Sequence, residues 1–161
     1  MKKMKLLLLL TLAFTLTANA QSFNDDKTAF SNFLKRMYTA SPFEGVKIVD
    51  DYDSEYLISV ISLEKDKYTD PSVMNRVAQV KAQSQASTFL NGATISMDMV
   101  ITTSEKTSKD STITLVEIIE SIKQNSIGFT QGLELLTNFE NPDSTRMVWI
   151  YYREIKKITA K

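Results

Sequence analysis

Two absences and a few short motifs limit the chemistry this sequence can perform. Its 161 residues contain neither histidine nor cysteine. Histidine is the side chain that ionises near neutral pH and the commonest zinc ligand, so the usual general base and the usual metal ligand are both missing. Without cysteine there is no thiol nucleophile, thiolate metal site or disulfide. Ser-His-Asp and Cys-His catalysis are therefore excluded for the chain acting alone. Carboxylate, lysine and tyrosine chemistry remain.

Ser62-Leu63-Glu64-Lys65 has the S-x-x-K spacing that, on a helix, sets a nucleophilic serine one turn from a lysine. Here it closes an expected strand, where side chains three apart point to opposite faces, and no S-D-N or K-T-G follows. Asp51-Tyr52-Asp53-Ser54-Glu55 opens like a calcium loop, but Tyr56 and Ser62 stand where an EF-hand needs its glycine and final glutamate. It reads as a solvated turn. A pair of carboxylates can hydrolyse a glycosidic bond without histidine, so a small carboxylate-dependent hydrolase acting on glycans is the alternative reading. Trp149 and Tyr151 lie two apart on the last expected strand and share one face, with Val148, Ile150 and Tyr152 on the other. One face should be core; Trp149 and Tyr151 are the candidate contact surface for a partner. The sequence leads to no expected catalytic residue, metal site or cofactor.

The elements that must position these residues follow from periodicity. Phe30, Phe33, Leu34, Met37 and Tyr38 form one apolar helical face within residues 24–40, capped by Asn24 or Asp25 and stopped at Ser41-Pro42. Val46 to Val49 and Tyr56 to Leu63 are β-branched strands joined through Asp and Ser turn residues as a hairpin. The strongest helix runs from about 71 to 91, with Asp70 as N-cap, Pro71 at N1 and Asn91-Gly92 ending it with glycine at C′. Its Ala78, Ala82 and Ala86 recur every four residues, with Met74 and Phe89 near the same face, a row that lets a helix lie close on a sheet.

Ile95, Met97, Met99 and Ile101 alternate as in a half-buried strand, and Ser104 to Ser111 reads as a loop. Leu115, Ile118, Ile119 and Ile122 favour a short helix to about Gln124, although the β-branched content also suits a strand. Ile127, Phe129, Leu133 and Leu135 suggest a strand interrupted at Gly128 and Gly132. It should pair with Arg146 to Tyr152 across the turn Asn141-Pro142-Asp143-Ser144. The sum is an α+β domain: a mostly antiparallel sheet of about five strands, one long helix on it and an N-terminal helix.

The N-terminus reads as an export signal. Lys2, Lys3 and Lys5 precede the apolar run Leu6 to Leu16, and Ala18-Asn19-Ala20 supplies small residues for cleavage before Gln21. The run is about half of the roughly 20 residues a membrane span needs. With no cysteine to lipidate, this is not a lipoprotein signal. Residues 21–161 then form a single domain with 16 basic and 19 acidic side chains, a formal net charge of −3. That balance does not favour nucleic acid. The expected location is the periplasm or the exterior, without membrane insertion after cleavage.

Residues Ser72 to Gln83 and Phe89-Leu90-Asn91-Gly92 form an alanine-rich helix with basic and amide residues between two strands. Ser126-Ile127-Gly128-Phe129 and a closing hairpin follow. This layout, over residues 46–155, resembles the small α+β domains of envelope lipoproteins and flagellar-assembly proteins. It is also similar to exported Bacteroidetes proteins whose signals end in Ala-Gln. The resemblance implies an accessory role in the envelope and carries over no catalytic residues. The expected function is a non-catalytic interaction domain, with an envelope protein or a glycan as partner.

Overall fold

The computed structural model describes residues 26–51, 54–92, 100–102 and 126–155. By internal contacts the chain divides into residues 1–42 and 43–161. In the first unit, residues 26–40 form helix α1. Phe30, Leu34 and Tyr38, spaced by four, are its buried positions, and Phe33 and Met37 are half-buried beside them. This is the expected stripe. Thr39 Oγ1 donates to Lys35 O and Ser41 N to Met37 O, closing the last turn before Pro42. The expected caps, Asn24 and Asp25, lie outside the described residues.

The second unit contains β1 (Gly45–Asp51), β2 (Ser54–Glu64), a 3-10 turn (Lys65–Lys67), α2 (Pro71–Gly92), β3 (Val100–Thr102), α3 (Ser126–Gln131), β4 (Glu134–Glu140) and β5 (Arg146–Ile155). The fold is α+β. The sheet order is β3-β1-β2-β5-β4, antiparallel throughout except where β3 adds parallel to β1 at one edge. Both expected hairpins are present. In the β4–β5 turn, Asn141 Oδ1 accepts from Arg146 N at 2.8 Å, Asp143 Oδ1 accepts from Thr145 N at 3.0 Å, and Ser144 takes φ 58°. These are the tasks for which Asn, Asp and Ser suit turns.

α2 starts as its residues dictate. Asp70 Oδ1 accepts the Ser72 amide at 2.8 Å, and Pro71 fills the first position, where a missing N–H costs nothing. Gly92 is the last helical residue and has no left-handed φ, so the expected C′ glycine is replaced by a helix running one residue further. The buried positions of α2 are Met74, Ala78, Ala82, Ala86, Phe89 and Leu90. They pack on Ile48, Leu57, Ile61, Leu63, Trp149 and Tyr151, one face of β1, β2 and β5. The alanine row brings the helix backbone so near that Ser59 Oγ on β2 donates to Ala82 O at 3.1 Å. Gln85 Nε2 donates to the same hydroxyl at 2.8 Å and to Val60 O at 3.0 Å. At the other end of the contact, Trp149 Nε1 donates to Asn75 Oδ1 at 2.9 Å.

The second face of the sheet is buried too. Val49, Ile58, Val60, Val148 and Ile150 are at most 1 % exposed. Residues 57–63 of β2 are therefore buried without a break, the pattern of a strand enclosed on both sides.

Residues 127–135 depart from expectation. Ser126–Gln131 is a short helix, and the strand begins only at Glu134. The reason lies 25 residues downstream: Arg153 Nη1 on β5 donates to Gly128 O at 2.8 Å and also to Phe129 O, with its guanidinium 4.6 Å from the Phe129 ring centre. Those carbonyls are thus withdrawn from any strand partner. A Cβ at Gly132 would lie 2.6 Å from Arg153 Cζ, so a larger residue there would push the guanidinium from its present place. The expected helix at 113–124 and the strand residues Ile95, Met97 and Met99 lie outside the described residues.

Ala82→Leu is expected to cost about 1–3 kcal/mol through overpacking and loss of the Ser59 contact. At Val80, 64 % exposed on the same helix, Val80→Thr should stay within about 0.5 kcal/mol. Urea unfolding of both variants measures the difference.

Candidate functional site

The S-x-x-K residues meet different partners. Ser62 is buried, and its Oγ accepts from Arg146 Nε at 2.6 Å. Lys65 sits in the 3-10 turn beyond the strand, with Nζ 2.7 Å from Glu140 Oε1. Neither side chain faces the other, so this spacing makes no nucleophile.

Arg146 organises this corner. Its Nη2 donates to Glu44 Oε1 at 3.1 Å and to Ser62 O at 2.8 Å, and its Nη1 reaches Glu64 Oε1 at 3.4 Å. Glu64 Oε2 is also 2.7 Å from Lys67 Nζ. That lysine holds the Glu64 carboxyl below its ordinary range, and Lys65 does the same for Glu140. A glycosidase acid must keep its proton near neutral pH, which requires the opposite shift. These carboxylates act as ion-pair partners.

Beside the corner, a groove of about 620 Å³ lies between α2 and the start of β1. Lys81, Ser84, Gln85, Thr88 and Phe89 form its helical wall, and Glu44, Gly45, Val46, Ile61 and Ser62 the strand wall. Among the described residues Glu44 is its one carboxylate, already held by Arg146. The groove therefore brings no second acid to face the first.

Trp149 and Tyr151 do share a face, as their spacing requires, but it is the covered one. Trp149 is 1 % and Tyr151 5 % exposed, both in the core beneath α2. The expected contact surface is therefore corrected to core. Alternation tells which residues point together; it does not tell which face another element will cover. In the calcium-like turn, Asp51 lies opposite Ser54 at the end of the β1–β2 ladder, Glu55 is buried, and Tyr52 and Asp53 lie outside the described residues.

One outer strand of the sheet is β4. β5 occupies its inner side, and among the described residues no strand lies on its outer side. Large exposed apolar side chains number four among the described residues: Val73 and Val80 on α2, Ile127 on α3 and Leu135 on β4. Two of the four thus belong to the α3–β4 segment. A register shift between Leu135 and Thr137 breaks the ladder, and Glu134 and Glu140 close the strand at its ends. Sequence reasoning missed this edge and also Arg146, because strand order and an 84-residue contact leave no local pattern.

No family model, curated protein or solved structure matches the chain.

No helix among the described residues is long and apolar enough to cross a membrane. Among those residues no group of three or more acidic side chains is placed to hold a metal ion.

Burial pushes the Tyr151 hydroxyl above its ordinary pKa. The unfolded chain ionises this tyrosine from about pH 10, while the folded chain still holds its proton, so stability falls as pH rises from there to the folded pKa. Urea titrations at pH 8 and above should show that fall, and Tyr151→Phe should make it shallower.

Proposed function

We propose that the chain is an exported, non-catalytic interaction domain of the bacterial envelope, engaging a partner protein along the β4 edge. The observation that carries this reading is that edge: a sheet strand with no strand on its outer side among the described residues, bearing exposed Leu135 and preceded by exposed Ile127. An unpaired strand is a template for a further one, and strand addition is a recurrent mode of peptide recognition. The main chain supplies affinity, and alternate side chains supply choice. The acidic ends and the register shift work against pairing with a second copy. Antiparallel self-pairing centred on Thr137 would set Glu134 against Glu140 twice, a destabilising arrangement of like charges. The leader sequence supports export, and the ion-paired state of Glu44, Glu64 and Glu140 supports a role without catalysis.

In native cells, a photo-crosslinking residue at Asn138 on β4 should give one discrete protein adduct, while the same residue at Val80 on α2 gives none. The chain carrying the crosslinker should begin at Gln21 and fractionate with the envelope or the medium. Leu135→Asp should lower the yield about tenfold, as loss of an apolar anchor does. Equal or absent adducts at both positions, or an uncleaved cytoplasmic protein, would contradict the reading. A glycan adduct at Asn138 would replace the protein partner with a sugar.

A further inference from the structure

β1 and β2 do not end together. Their ladder runs from Asp51 opposite Ser54 to Gly45 opposite Val60, and there β1 stops. β2 continues to Glu64, paired among the described residues with β5 alone. Gly45 takes φ 114°, a conformation that glycine tolerates and other residues rarely adopt, at the point where the ladder begins. A strand that outruns its neighbour presents main-chain groups at alternate residues, and such a row invites another strand.

Here side chains from two other elements reach the carbonyl of the last ladder residue and the next one along the same edge. Gln85 Nε2 of α2 donates to Val60 O at 3.0 Å, and Arg146 Nη2 of β5 donates to Ser62 O at 2.8 Å. The two carbonyls are two residues apart, the spacing of groups that face the same edge of a strand. Each donor is held in place by further bonds. Gln85 also binds Ser59 Oγ at 2.8 Å, and Arg146 binds Ser62 Oγ at 2.6 Å with Glu44 and Glu64 beyond. The half-buried guanidinium suits this work because its planar fork serves several acceptors at once.

We propose that Gln85 and Arg146 are edge guards, which cover the carbonyls of β2 at the end of the β1 ladder, Val60 O, and just beyond it, Ser62 O, and so keep a second chain from adding a strand there. The guard is independent of any partner at β4.

The test compares the mature protein with Arg146→Met, Gln85→Leu and their combination. Lys65→Met serves as control, since it breaks the Lys65–Glu140 pair at the same corner and leaves the β2 acceptors covered. Light scattering reads mass against concentration, far-UV circular dichroism reads the fold, and amide exchange reads residues 61–64. The combined variant should keep the wild-type spectrum, reach about twice the wild-type mass by strand addition, and slow exchange at 61–64 as it associates. Wild type and Lys65→Met should hold a constant mass. A combined variant that stays folded at the wild-type mass overturns the proposal. Where Arg146→Met loses its spectrum, Arg146→Lys, which keeps the charge without the fork, carries the same readout. Unfolding of both overturns it as well, because the guanidinium would then be part of the fold rather than a cover on the edge.

Discussion

Ser59 Oγ reaches Ala82 O because the row Ala78, Ala82, Ala86 puts only methyl groups between the α2 backbone and β2. Larger side chains would lift the helix and leave a buried hydroxyl without its acceptor, a loss of about 1–3 kcal/mol for that group alone. The same approach lets Gln85 reach across to Ser59 and Val60, and Asn75 to the Trp149 indole. These polar contacts are specific in a way that apolar packing is not, since each has one acceptor in one direction. They fix the rotation and height of α2, and its neighbours Met74, Phe89 and Leu90 then complete the core.

A second constraint follows from the strands themselves. β2 and β5 are central in the sheet and enclosed on both faces, so their side chains are committed to packing. Even the aromatic residues of β5 that look made for contact, Trp149 and Tyr151, lie inside. Among the described residues, the large exposed apolar side chains therefore lie on α2, α3 and β4, outside these two strands. The strands also end differently: where β1 ends, side-chain donors cover β2, while β4 has acidic ends, an irregular register and, among the described residues, no strand on its outer side.

Much of this fold was legible in residues whose roles are local. Asp70-Pro71 marks the start of α2, the alanine row marks its buried face, and Asn141-Pro142-Asp143-Ser144 marks the second hairpin, because caps, close packing and turns each need particular residues within a few positions. What the sequence hid depends on distant partners. The segment Ile127 to Leu135 alternates like a strand, but Arg153 takes the carbonyls that a strand would use. The Trp149–Tyr151 face could not be assigned to core or surface from alternation, since coverage is decided by α2, more than fifty residues earlier. The corner at Arg146 joins Glu44, Ser62 and Glu64 through contacts of 82 to 102 residues, for which a single sequence carries no signal. The absence of histidine and cysteine narrowed the chemistry, while strand order determined which strands lie outermost in the sheet.

Native-state amide exchange measures this division most directly. The account predicts that residues 57–63 of β2 and 148–151 of β5 exchange slowest, opening only when the whole unit unfolds, while the outward amides of β4 exchange through small local openings. Exchange in the middle of β5 as fast as in β4 would contradict it, because the doubly enclosed pair would then not be the core on which α2 and both edges depend.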